Sequence, residues 1–220
     1  MDSNLSSLLK WSVENTTSAN PSTEPGTDST STSTPSSRAP FNPDALNALF
    51  GGPSDADLLK MSMSAILSTD PEITLEDKLT AFDNFEQLIE SLDNANNLEP
   101  LALWTPLLSC LSHPESEIRK MAAWCVGTAV QNNERSQERL LAMNGIPRLV
   151  EMARAEGEEE GTRRKAVYAL SSACRNYQPA MDVLTGELGR EKVDAADMDG
   201  VDVLIGGLKE DAKNGVSGKA

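Results

Sequence analysis

The apolar positions divide the chain into stretches of different character. Near the start, Leu5, Leu8, Leu9, Trp11 and Val13 are spaced as one face of a two-turn helix, a length that is marginal alone in water. Residues 12–40 are about two-thirds Ser, Thr and Pro, with Ser and Thr alternating from Ser29 to Thr34; such a segment cannot bury enough surface to fold. From Ser54 onward the helical period takes over and persists. Asp55–Leu67 reads as a first amphipathic helix closed by Thr69-Asp70-Pro71, and Thr74-x-x-Asp77 as a capping box that opens a second stretch, Leu75–Leu92. Ser112-His113-Pro114-Glu115 reads as a further box, and Gly145, Gly161 and Gly200 punctuate later boundaries. No stretch holds the period-two alternation of a strand. The predicted class is all-α, with residues 1–53 a flexible segment and residues 54–220 a helical domain.

Internal repetition then narrows the architecture. The run Arg119-Lys120-Met121-Ala122-Ala123-Trp124-Cys125-Val126-Gly127-Thr128-Ala129-Val130-Gln131-Asn132 returns 44 residues later as Arg163-Arg164-Lys165-Ala166-Val167-Tyr168-Ala169-Leu170-Ser171-Ser172-Ala173-Cys174-Arg175-Asn176. A fainter copy stands 42 residues earlier, where Lys78, Ala81 and Phe82 match Lys120, Ala123 and Trp124. The following helices echo each other too, Gly145–Val150 recurring as Gly200–Ile205. Such a period falls in the armadillo/HEAT range of about 40–47 residues. One unit cannot cover its apolar face alone, so neighbours stack into a continuous core. The helix around Trp124 is apolar nearly all round, which predicts a buried central helix whose small residues, Ala122, Ala123, Gly127 and Ala129, admit close neighbours.

Five motifs carry a more specific likeness. They are Leu8-Leu9-Lys10-Trp11-Ser12, Leu46-x-x-Leu49-Phe50-Gly51, Asp93-Asn94-Ala95-Asn96-Asn97, Leu103-Trp104-x-Pro106-Leu107 and Gly127-Thr128-Ala129-x-Gln131-Asn132-Asn133. With them the sequence resembles the armadillo-type nucleotide exchange factors of the heat shock protein 70 chaperone, particularly the fungal cytosolic branch. The resemblance implies an armadillo-like right-handed α-solenoid behind a disordered N-terminal segment. It implies a cytoplasmic, monomeric binding protein without enzymatic activity or cofactor. Its partner would be the ATPase domain of cytosolic heat shock protein 70, with the ribosome-associated relative a further one. Contact would favour the open form, release ADP, and support chaperone-assisted folding and translation-linked cycling. An armadillo scaffold that binds without changing exchange is the alternative.

Charge and composition agree with binding rather than chemistry. The formal net charge is −15, which repels phosphate backbones and anionic lipid, so neither nucleic acid nor membrane is expected. Residues 54–99 hold two basic against eleven acidic side chains, whereas residues 100–181 hold ten against nine. No run approaches the roughly 20 apolar residues of a membrane span, and Met1-Asp2-Ser3-Asn4 does not open a secretory signal. Cys110, Cys125 and Cys174 lack C-x-x-C spacing, which suits a reducing compartment. His113 is the single histidine and leaves one candidate base. The stretch around Asp197 would place Ala195 and Gly206 at the first and twelfth positions of a calcium loop, where oxygen ligands are needed.

Candidate contact residues come from the repeat register. Asn94, Asn96, Asn97, Gln131, Asn132, Asn133 and Asn176 stand near the C-terminal ends of successive helices. Asn caps helices there and tolerates the left-handed conformation, yet repeated positions in a solenoid also line one surface. Asn94, Asn96, Gln131, Asn132, Asn133 and Asn176 are therefore the candidate partner-binding set. Arg175 joins them as an interface anchor, against a role in compensating a helix C-terminus. Trp124, Tyr168 and Phe82 are expected in the core. Four residues after them stand Thr128, Ser172 and Glu86 rather than Asn, so the ladder of peptide-carrying armadillo proteins is absent. Glu158-Glu159-Glu160 is expected to be solvated, and Leu8, Leu9 and Trp11 form a candidate client-mimicking segment.

Overall fold

The computed structural model describes residues 53–214; the Leu8-Leu9-Trp11 segment, the Ser/Thr/Pro stretch and the Leu46–Gly51 motif lie outside them. The described residues form ten α-helices and no strand: α1 (Asp55–Ile66), α2 (Leu75–Ile89), α3 (Leu92–Asn97), α4 (Trp104–Ser109), α5 (Ser116–Val130), α6 (Glu134–Ala142), α7 (Gly145–Arg154), α8 (Glu160–Cys174), α9 (Gln178–Glu187) and α10 (Met198–Asn214). A 3-10 turn, Cys110–Ser112, prolongs α4. Two complete three-helix units, α3–α4–α5 and α6–α7–α8, lie between the pairs α1–α2 and α9–α10. The helices α2, α5 and α8 stack side by side, and α10, which echoes α7 in sequence, packs on α8, as expected of an armadillo-like solenoid.

Local chemistry sets most boundaries. Ser54 accepts the Asp57 N–H at 3.2 Å at the start of α1. Thr74 and Asp77 close the anticipated capping box, with bonds of 2.9 and 3.2 Å. The stretch Leu75–Leu92 is not one helix but two, interrupted at Glu90-Ser91, after which α3 turns back. The box at Ser112 does not form either. The helix starts four residues later, at Ser116, after an extended Glu115 whose N–H bonds to His113 Nδ1 at 3.1 Å; proline disfavours helical geometry at the residue before it.

Packing is closest between α5 and α8. Ala122, Ala123, Val126 and Ala129 on one side and Ala166, Val167, Ala169 and Leu170 on the other are fully buried. A Cβ on Gly127 would lie 2.5 Å from Tyr168 Cε1 and 3.1 Å from Ala169 Cα, so glycine is what allows this approach. The last helix covers α8 through Val201, Leu204, Ile205, Leu208 and Ala212, while Asp199, Asp202, Lys209 and Glu210 face outward. Arg163 fixes it at one end, its Nε donating to the Ala212 carbonyl at 2.7 Å. Among the outward residues of this helix, Val203 is apolar and 77% exposed.

Glu158 corrects the expectation of a solvated acidic loop. It receives Arg119 through Nε at 2.5 Å and Nη2 at 2.8 Å, Ser116 Oγ at 2.7 Å and its neighbour's N–H at 3.0 Å. Its side chain is only 7% exposed. This two-pronged pair ties the loop before α8 to the start of α5. Burial pushes the carboxyl pKa upward, but the bonds from Arg119, Ser116 and Glu159 outweigh burial and hold it below the usual range. A carboxyl depressed in the folded state contributes stability above its unfolded pKa and loses that contribution as pH falls through the folded value. Glu158→Gln should therefore destabilise the chain by about 1–3 kcal/mol near pH 7. Denaturant titrations should find the gap from the parent narrowing as pH falls below the ordinary carboxylate range.

Candidate partner-binding surface

The turns that end α5 and α8 are built alike. Gln131 and Arg175 are extended, Asn132 and Asn176 take positive φ of 52° and 56°, and Asn133 and Tyr177 return to extended geometry before the next helix. Asparagine recurs here because it tolerates the left-handed region that reverses the chain. The asparagine repeat is thus a backbone device at these two positions, whatever else their side chains do.

The candidate residues separate into two groups. Asn94 and Asn133 point inward and are buried. Asn94 Nδ2 donates to the Leu88 carbonyl at 3.0 Å and to Asp55 at 2.9 Å. Asn133 accepts the Ser136 N–H at 3.3 Å and donates to the Ala129 carbonyl at 3.2 Å, capping α6. Asn96 is half-buried, its Oδ1 enclosed without a partner among the described residues. Gln131, Asn132 and Asn176 are exposed, and Asn176 donates its backbone N–H to the Ala195 carbonyl at 2.9 Å. Arg175 is half-buried and bridges α8 to α10 through Ser171 Oγ at 3.2 Å, Met198 sulfur at 3.4 Å and Asp202.

Gln131 and Asn132 open onto a recess of about 350 Å³ that also has Glu86, Glu90, Thr128 and Tyr168 in its walls. Thr128 Oγ1 donates to Glu86 Oε1 at 2.7 Å, and Tyr168 Oη donates to Gln131 Oε1 at 3.2 Å. Beside it, Lys165 Nζ stands 3.8 Å from the Trp124 ring centroid and 5.7 Å from that of Tyr168. Burial lowers the Lys165 pKa, with Glu86 and Cys125 opposing and Lys120 assisting. Phe82 is in the core as expected, whereas Trp124 and Tyr168 are half-buried. Their helices are covered on both flanks of the row but not across its open face. There the Lys165 ammonium lies over the Trp124 ring.

Glu86, Thr128 and Lys165 were absent from the candidate set, although the register held a signal for Glu86. It occupies the position taken by a hydroxyl residue, Thr128 or Ser172, in the other copies. The cysteines offer no reactive group: all three are free and buried. Burial raises each thiol, that of Cys174 to about 12.

A family model described as nucleotide exchange factor Fes1 matches residues 5–98, and a HEAT-repeat model matches residues 103–132. The chain is 53% identical to the Hsp70 nucleotide exchange factor fes-1 of Neurospora crassa, over 97% of this chain and all of that protein. This chain belongs to the Fes1 family. Further members are the Hsp70 nucleotide exchange factors FES1 of Gibberella zeae, 55% identical over 95% of this chain and 97% of its own, and of Coccidioides immitis, 48% identical over 96% and 99%. The crystal structure of an engineered protein superposes with a TM-score of 0.53 at 16% identity, over 77% of this chain and 71% of that one. That likeness concerns the fold alone. Among the described residues no helix is long and apolar enough to cross a membrane.

Because Arg175 pairs with an Asp202 that is 63% exposed, the pair itself should contribute little to stability. Arg175→Ala should shift the unfolding free energy by no more than about 1 kcal/mol. A partner gripped by Arg175 would lose much more affinity than that, and calorimetric titration against the partner discriminates the two roles.

Proposed function

We propose that this chain is a nucleotide exchange factor that binds the ATPase domain of cytosolic heat shock protein 70 and accelerates ADP release. Through that step it supports chaperone-assisted folding and translation-linked chaperone cycling, with the chaperone's ribosome-associated relative as a second partner. The observation that carries the reading is 53–55% identity, over at least 95% of the chain, to proteins named Hsp70 nucleotide exchange factors. Residues 54–220 act as the repeat domain and residues 1–53 as an appended segment. The protein works in the cytoplasm as a monomer and as a binding partner, not as an enzyme.

The mechanism needs no acid, base or nucleophile in this chain. The chaperone lobe that encloses ADP exists in closed and open forms, and a ligand shifts that balance only by its differential affinity for them. Bound along the open face of the α2–α5–α8 row, the chain prefers the open form. Each 1.4 kcal/mol of preference weakens ADP about tenfold, and by reciprocity ADP weakens the factor equally. Gln131, Asn132, Arg175 and Asn176 are the contact residues we assign from the candidate set, since their side chains reach that face or its ends. Asn133 caps α6 and Asn94 ties α3 to α1 and α2, while Asn96 remains a candidate contact.

Stopped-flow release of labelled ADP from purified chaperone tests the proposal. Saturating amounts of this chain should raise the release rate by about tenfold or more. Tight binding without any change in rate would instead make it a passive scaffold.

A further inference from the structure

The recess at the C-terminal ends of α2 and α5 contains a buried carboxylate with spare capacity. Glu86 is 6% exposed, and its one hydrogen bond among the described residues comes from a neutral hydroxyl, Thr128. It joins none of the ion pairs formed among the described residues. Lys165, on which Glu86 acts electrostatically without forming an ion pair, is stacked over Trp124. Its second oxygen is not among the enclosed polar atoms that lack a partner, so it meets solvent in the recess. One oxygen of Glu86 therefore faces the recess with room for a strong donor. Glu90, the C-cap of α2 one turn further along, lines the same space.

The remaining walls specify the donor. Tyr168 forms one side of the recess, and its hydroxyl is already bonded to Gln131, so its ring is fixed beside the carboxylates. Asn132 and the Gln131 amide add neutral polar groups at the rim. A planar cation can stack on an aromatic ring while its N–H groups reach a carboxylate, an arrangement that suits guanidinium better than ammonium. No cationic side chain of this protein is among the residues that line the recess.

We infer that this recess receives an arginine side chain of the chaperone's ATPase domain, with Glu86 and Glu90 pairing the guanidinium and Tyr168 supporting its face. The inference rests on the proposed function and names the chemistry by which the same surface selects its partner. It also accounts for the exceptional residue in the register. Thr128, at this position in the next copy, donates to Glu86 across the row, whereas an acid there can also answer a charge from outside.

The test compares Glu86→Gln, Tyr168→Phe and Tyr168→Leu with the parent by calorimetric titration against purified ATPase domain, alongside thermal unfolding of each free protein. Glu86→Gln keeps the size of the side chain and an acceptor for Thr128. It should weaken binding about 10- to 100-fold while the melting temperature stays level or rises. Tyr168→Phe keeps the ring and should bind within about threefold of the parent, whereas Tyr168→Leu should lose about tenfold. Unchanged affinity for Glu86→Gln overturns the inference and leaves the exchange function standing. So does a fall in its melting temperature, which would mean that an internal cation such as Lys165 occupies the recess. Failure of the parent itself to bind the ATPase domain removes both readings together.

Discussion

Helices α5 and α8 approach so closely that Gly127 has no space for a methyl group, and the architecture follows from that contact. Small residues on both helices, Ala122, Ala123 and Ala129 against Ala166 and Ala169, exclude water along a seam that neither helix could bury alone. A repeat unit in isolation would expose that seam, so stability comes from stacking rather than from helix propensity. The row α2–α5–α8 is rigid for the same reason. Groups mounted on it keep their mutual positions when a partner arrives, which lowers the ordering cost of association.

Two kinds of charge are arranged on this scaffold. The Arg119–Glu158 pair is internally complete: the carboxylate has four donors and the guanidinium also bonds the carbonyls of His113 and Pro114. It ties one unit to the next. Elsewhere on the row, Glu86 has a single neutral donor and Lys165 rests on an aromatic ring. Those groups are incompletely paired in the free protein. A partner that supplies a complementary donor would be selected over one that does not. The net charge of −15 therefore says little about the proposed face, where Glu86 and Glu90 line the recess and Lys165 rests on Trp124.

Much of the fold was legible in the sequence because repetition is visible without coordinates. The 44-residue echo predicted that the helices after Arg119 and Arg163 would share a role, and they pack as neighbours with matching terminal turns. The period also predicted the stacked architecture. Less legible was the direction of individual side chains. Asn94 and Asn133 share a composition and a helix-end position with Asn132, yet the first two face inward, because a local asparagine can bond its own backbone as readily as it meets solvent. Trp124 and Tyr168 read as core because a helix that is apolar all round looks buried on every side. In a single row of helices one face stays open, and periodicity cannot tell which. Glu158 was equally opaque, since its partner Arg119 lies 39 residues away and only stacking brings them together.

The central claim is that the partner seats on the open face of the α2–α5–α8 row. Hydrogen–deuterium exchange of this chain alone and with excess chaperone ATPase domain tests it directly. The account predicts added protection at the C-terminal ends of α2 and α5 and in the turns at residues 131–133 and 175–177, with α7 unchanged. Protection confined to α4 and α7, with those turns exchanging as freely as before, would contradict it.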